Sequence, residues 1–128
     1  RYLNGSRTKR PTLRRSFSLA YNALIRIMFN DRVADHQCGF KAFSAKLVES
    51  ELANCTDRHW FWDTEIIVLA KTKGYRVHEI PIEWEERKWT RTPIRRLLKD
   101  IYLLGLGALR LWVRLHLRRD VDKSVWYE

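Results

Sequence analysis

Apolar residues recur at helical spacing through Phe17, Tyr21, Leu24, Ile25 and Met28. That period predicts an amphipathic helix, with Ser16 or Ser18 placed to cap it. Ahead of it, residues 1–15 show no periodic face. Gly5, Ser6, Pro11 and a run of arginines read there as a loop or the end of a strand. The helical period breaks at "NDRVADHQ", a loop, and "GFKAF" then alternates over 39–43, short enough for a strand. Ser44 can cap a following helix over "AKLVESELA". "NCTDRH" is a loop and "WFW" a brief apolar run. Asp63 stands before "TEIIVLAKTK" as an N-cap, with Glu65 in the first turn, where the helix dipole favours an acid. Gly74 closes that helix. "YRVHEIPIEWEE" alternates again, with Ile80, Ile82 and Trp84 on one side and Glu79, Glu83 and Glu85 on the other. It predicts a strand that Pro81 confines to an edge or a bulge.

The last predicted element is a long helix over 94–119. Its apolar face is read as Ile94, Leu97, Leu98, Ile101, Ala108, Leu109, Trp112 and Leu115, its basic face as Arg96, Lys99, Arg110, Arg114 and Arg118. The uninterrupted apolar run, Ile101 to Leu109, is far shorter than the about 20 residues of a membrane span. A basic face beside a Trp-bearing apolar face suits a helix lying in a membrane interface; a core-packing helix with a solvated face is the plainer alternative. The order helix, strand, helix, helix, strand, long helix predicts an α/β fold with too few strands to complete a sheet alone. It divides the chain into 1–92, a helix at 93–119 and a tail at 120–128.

Composition sharpens this. The 128 residues can bury one modest core, and the net charge is +10. Residues 1–15 hold six basic side chains and no acid, and residues 87–119 hold ten basic side chains and one acid, around a slightly acidic centre. Such asymmetry needs an anionic partner. The acidic centre interrupts any continuous basic face, and the last helix is too apolar for a solvated DNA reader, so nucleic acid is not the expected partner. Cys38 and Cys55 lack C-x-x-C spacing, which suggests a reducing compartment. No apolar segment follows the basic start, so no secretory signal is expected. The opening "RYLNGSR" reads as a cut from something longer.

"DHQCGFKAF", residues 35–43, sets a carboxylate, an imidazole, an amide and a thiol in four consecutive positions. Zinc sites pair ligands in two clusters, and the second cluster is missing here. A redox thiol needs an activating environment or a partner cysteine. The stretch reads instead as the lip of a pocket, with Asp35 and Gln37 free in the loop and Lys41 projecting from the strand to meet a phosphate. An ordinary solvated loop is the competing interpretation. The other acidic pair, Asp120-Val-Asp122, lies in the tail and is taken as a chance match to a metal-binding D-x-D.

"GSR" at 5–7, "SFSLAYNALIR", "DHQCGFKAF" and "WFWDTEIIVLAKTKGYRVHEIPIEWEER" stand in the order and spacing of the C-terminal half of a family 2 glycosyltransferase. The chain resembles the polyprenyl-phosphate branch, which includes dolichyl-phosphate glucose and mannose synthases, over about residues 4–119. The Q-C-G-F-K form is closer to the glucosyl enzymes. The resemblance implies a GT-A fold in which residues 1–92 are the acceptor-side half. It implies transfer of a hexose from a nucleotide sugar, of the UDP-glucose or GDP-mannose type, to a polyprenyl or dolichyl phosphate. A divalent ion, Mg2+ or Mn2+, is implied in the nucleotide-binding half that precedes "GSR", with no metal ligands in this chain. It also implies a membrane-associated enzyme at the cytoplasmic face, inactive as this segment alone.

By the same resemblance, Asp35 sits at the reacting centre with Gln37 and Lys41 beside it. Asp63 and Glu65 occupy the acidic helix start, Arg7 faces the phosphates, and Arg87 approaches the acceptor phosphate. Two departures stand out: Leu19 occupies a position where mannosyl enzymes often carry Arg, and "KWTRTP" replaces a Gly-x-Ser-Lys-like turn after "EER". A basic or structural membrane-surface module without catalysis remains the alternative.

Overall fold

The computed structural model describes residues 1–9, 12–85 and 94–124, with the side chains of 95–117 in the last stretch. Strand β1 (Arg7–Lys9) is followed by helix α1 (Thr12–Phe29), α2 (Ala45–Glu51) and a 3-10 turn (Leu52–Asn54). Then come α3 (Trp62–Thr72), strand β2 (Glu83–Glu85) and α4 (Ile94–Ser124). The fold is mixed helix and sheet, as the sequence pattern predicts.

The two strands run parallel, with Arg7 opposite Glu83 and Lys9 opposite Glu85. The facing charges of each pair are 3.8 Å apart and exposed, so they add little beyond register. Among the described residues, three of the predicted 75–86 strand join the ladder. Ahead of it, Ile82 is fixed by its N–H to the Ser6 hydroxyl (3.2 Å), and its carbonyl accepts the Arg7 N–H.

Helix α1 starts four residues earlier than Ser16. The Ser16 hydroxyl donates to the Thr12 carbonyl instead of capping, and Ser18 is buried within the helix. The helix ends where Asn30 takes a left-handed backbone (φ 50°) and the Asp31 N–H returns to the Arg26 carbonyl. α3 ends the same way at Gly74 (φ 81°), with the Tyr75 N–H bonded to the Ala70 carbonyl, as its position predicts. Ser44 does cap α2, accepting the Leu47 N–H at 3.3 Å. Asp63 does not cap α3: the N-cap is Phe61, without a side-chain bond, and Asp63 lies inside the first turn.

Residues 39–43 form no strand. Among the described residues no neighbouring strand offers them a ladder, and their side chains hold them in place. The alternation survives: Lys41 and Phe43 turn inward while Phe40 and Ala42 stay exposed. Phe43 meets Trp62 edge to face, with ring centroids 5.8 Å apart.

The larger core joins α1, α3 and α4 through Ile25, Phe61, Val68, Leu69, Leu104, Ala108 and Leu111. A smaller one gathers Val33, Ile66 and Ile67 under Phe43, Trp62 and Val77. α4 is longer than the predicted 94–119 and carries its backbone through Asp120 and Asp122 to Ser124. Its apolar face is also divided. Ala108 points inward with Leu104 and Leu111, and Leu115 packs against them. Leu98, Ile101, Leu109 and Trp112 remain exposed. The run 101–109 has no polar position to mark a face. Close approach settles it: a Cβ on Gly107 would lie 2.5 Å from the Phe61 ring.

Candidate functional site

The loop after α1 is built by side chains, because it has no ladder to satisfy its backbone. Asp31 accepts the Val33 N–H (2.9 Å) and faces His36 Nε2 at 3.0 Å. Asn22, fully buried on α1, sets its amide oxygen against both the His36 N–H (2.9 Å) and His36 Nδ1 (3.1 Å). Its amide nitrogen donates to the Ser18 carbonyl. Glu79 receives the N–H groups of Ala34 and Asp35 from the segment before β2. His36 is thereby completely buried, and the backbone beside it is fixed.

Asp35 is not a free loop carboxylate. It is buried, and Arg1 grips it through two nitrogens, one bond being 2.8 Å and the other 2.5 Å. The Gln37 N–H also donates to it at 3.2 Å. Burial pushes the Asp35 carboxyl upward, but the Arg1 guanidinium and the Gln37 N–H hold it below the usual carboxylate range. Burial likewise acts against Asp31, and the bonds from His36, Val33 and Arg32 outweigh it.

Lys41 turns toward the first turn of α3, where its amine meets Asp63 at 3.0 Å and donates to the Cys38 carbonyl. Thr64 of α3 and Tyr21 of α1 join hydroxyls at 2.9 Å, fastening the two helices. Arg1, Asp35, Cys38 and Lys41 line one side of a cleft of about 380 Å³, and Tyr75 to Ile80 line the other.

Glu65 faces elsewhere. Its carboxylate, 1% exposed, accepts the N–H groups of Thr56 (3.1 Å) and Asp57 (2.8 Å) and the Thr56 hydroxyl (3.0 Å). Arg114 of α4 completes the set at 2.6 Å. Burial opposes this charge, yet the two N–H groups, Arg114 and the hydroxyl keep the carboxyl well ionised, below its ordinary range. This pair borders a second cleft of about 980 Å³ between α4 and residues 56–61. Arg114 is therefore half-buried against Glu65 and does not stand free on the basic face assigned to it.

The structure thus brings Lys41 to Asp63 and sets Asp35 in the same cleft as Lys41, with the Gln37 N–H on Asp35, while Glu65 borders the other cleft. Arg7 stays exposed beside Glu83, away from Asp35. Arg87 lies outside the described residues. Asn22, Asp31 and Glu79 were not anticipated. Asn22 carried one signal, a polar residue one turn after Ser18 on the stripe that includes Ile25.

Each acidic candidate already holds a cation: Asp35 holds Arg1, Asp63 holds Lys41 and Glu65 holds Arg114. Among the described residues no three His, Cys, Asp or Glu side chains gather as a metal site. This donor set does not fit a divalent ion. Cys38 and Cys55 form no disulfide, and burial, helped by Glu65, pushes Cys55 up to about 11, which leaves it protonated and unreactive near neutrality.

No family model and no solved structure matches the chain. Curated relatives do. Glycosyltransferase AglD of Haloferax volcanii is 41% identical over 91% of this chain and 18% of its own length. A dolichyl-phosphate beta-glucosyltransferase of Trichomonas vaginalis is 30% identical over 96% of the chain and 36% of its own length. The dolichyl-phosphate beta-glucosyltransferase of Saccharomyces cerevisiae is 29% identical over 79% of the chain and 31% of its own length. The chain spans well under half of each. By this similarity over nearly its whole length, the chain belongs to the dolichyl-phosphate branch of glycosyltransferases and corresponds to a segment of them.

Proposed function

We propose that this chain is the acceptor-side part of a family 2 glycosyltransferase of GT-A architecture. The complete enzyme moves a hexose from a nucleotide sugar to a polyprenyl or dolichyl-type phosphate at the cytoplasmic face of a membrane. The observation that carries this is the similarity to a dolichyl-phosphate beta-glucosyltransferase over nearly the whole chain.

In that reaction an oxygen of the lipid phosphate forms the new bond to the sugar C1 as the bond from C1 to the nucleoside diphosphate breaks. A phosphomonoester has a second pKa near about 6, so it arrives largely ionised and needs little help from a base. Asp35 is then a positioning residue, which suits a carboxylate held ionised by Arg1. Gln37 and Lys41 orient the acceptor phosphate at the lip. Asp63 holds Lys41 in place, and Glu65 fixes α4 against α3. Arg7 and Arg87 supply further phosphate contacts in this reading. A divalent ion would stabilise the departing diphosphate and, in this reading, would be held mainly by residues outside this chain.

The exposed apolar residues of α4, including Leu98, Tyr102, Leu109 and Trp112, support peripheral membrane attachment. No helix among the described residues is long and apolar enough to cross a membrane.

The test joins this chain to a separately produced nucleotide-binding half of a dolichyl-phosphate glucosyltransferase and follows labelled hexose from a UDP- or GDP-sugar into polyprenyl phosphate. Transfer that requires both pieces is expected. Absence of transfer from every donor, in a complex shown to assemble, would overturn the reading. Steeply salt-sensitive duplex binding would favour a nucleic-acid module instead.

A further inference from the structure

His36 stands between Asp35 and Gln37, and its side chain is fully buried, so bulk solvent reaches neither ring nitrogen. Nδ1 lies 3.1 Å from the Asn22 side-chain oxygen, and Nε2 lies 3.0 Å from Asp31 Oδ2. The Asn22 amide is oriented from both ends. Its nitrogen faces the Ser18 carbonyl at 2.9 Å, which can only accept, and its oxygen faces the His36 backbone N–H at 2.9 Å, which can only donate. Turning the amide over would set two acceptors together at one end and two donors at the other. Nδ1 therefore meets an acceptor. Asp31 is held ionised, and its other oxygen takes the Val33 N–H at 2.9 Å. Nε2 therefore meets an acceptor as well.

A neutral imidazole has one N–H and one lone pair. Either tautomer would press that lone pair against an oxygen, on Asn22 or on Asp31, where solvent cannot relieve the contact. Only the doubly protonated ring donates in both directions. We propose that His36 is a buried imidazolium, paired with Asp31 and tied to Asn22, and that it is a positioning residue for the backbone carrying Asp35 and Gln37. The surrounding charges leave this pairing to Asp31. Asp35, next in the chain, is gripped by Arg1. Glu79, from the segment before β2, takes the N–H groups of Ala34 and Asp35. On α1, Arg26 bonds the Asn22 carbonyl and not its side chain. One ring proton thus fastens residue 36 to α1 through Asn22, and the other fastens it to Asp31. Loss of either would free one side of the residue that separates Asp35 from Gln37. The charge state stands on the geometry alone; its effect on transfer rests on the proposed function.

Long-range proton–nitrogen NMR of the chain with labelled histidine, assigned through the backbone, reads the ring near neutral pH. His36 should show two protonated ring nitrogens; one protonated and one bare nitrogen would overturn the inference. Asp31→Asn keeps the shape and offers an amide that can donate to a bare Nε2. That variant should lose the Nε2 proton and keep the one on Nδ1, and a ring still doubly protonated would overturn the pairing with Asp31. In the two-piece transfer assay, Asp31→Asn should lower kcat about tenfold with KM for polyprenyl phosphate nearly unchanged, the split expected when a residue at the reacting centre is displaced. An unchanged kcat would overturn the positioning role. If circular dichroism shows that Asp31→Asn does not fold, the parent spectrum decides the charge. His36→Gln, which offers donors on one side only, then takes its place in the assay by the same criterion. Should the parent assembly transfer nothing, the proposed function falls, and the spectra still decide the imidazolium.

Discussion

Glu65 shows how a single buried acid is kept charged. Two backbone N–H groups, a hydroxyl and a guanidinium surround it, and every one of them favours the ionised form. Glu65→Gln keeps the shape and removes the charge that Arg114 faces, and should cost about 2 kcal/mol of stability at neutral pH. The sign of the pH dependence follows from the depressed pKa. The native state gains from this group above its ordinary value of 4.5, and the gain drains away as pH falls through the lower folded value. Urea unfolding of the two proteins should therefore show a gap that narrows on acidification below that value. A gap of constant size would contradict this account. Asp31 and Asp35 are depressed in the same sense and steepen the acid loss in both proteins.

At the scale of an element, α4 shows what a hydrophobic pattern decides and what it leaves open. Its 31 residues extend about 46 Å at about 1.5 Å per residue. Leucines occur on nearly every side, so periodicity alone offers several faces to the core. The small residues choose among them, because only the Gly107–Ala108 side lets the helix approach Phe61. Paired glycine substitutions test this. A Cβ on Gly105 meets nothing within 4 Å, and Gly105→Ala should raise stability by up to about 1 kcal/mol through helix propensity. Gly107→Ala would drive a methyl into the Phe61 ring and should cost about 2 kcal/mol despite the same propensity gain. Thermal melts in which both variants gain stability would show that α4 sits farther from Phe61.

Across the whole molecule, the apolar core lies between α1, α3 and α4, the acidic candidates are each held by a cation, and Arg95, Arg96, Lys99 and Arg110 line one cleft beside α4. The described sheet has only two short parallel strands, with no further strands to form a nucleotide crevice. The chain by itself should therefore bind no UDP- or GDP-sugar with useful affinity, with or without Mg2+ or Mn2+. Isothermal titration calorimetry checks this, and micromolar binding would show that the nucleotide site extends into these residues.

Local chemistry was legible in the sequence wherever neighbours along the chain supply it. The Ser44 cap, the Gly74 terminus, the shared side of Lys41 and Phe43, and the existence of α1, α3 and α4 all depend on residues within a few positions of one another. The motif order that carries the family resemblance is also a property of the chain alone. Partners distant in sequence required the fold. Asp63 looked like a cap until Lys41 was seen to take its carboxylate from 22 positions away. Arg114 looked like a surface charge until Glu65, 49 positions earlier, was found beneath it. Asp35 looked free until Arg1 and the Asn22–His36 network enclosed its loop. In each case the side chain has more than one way to satisfy its polar group, and only tertiary packing, which removes water from the alternatives, selects one.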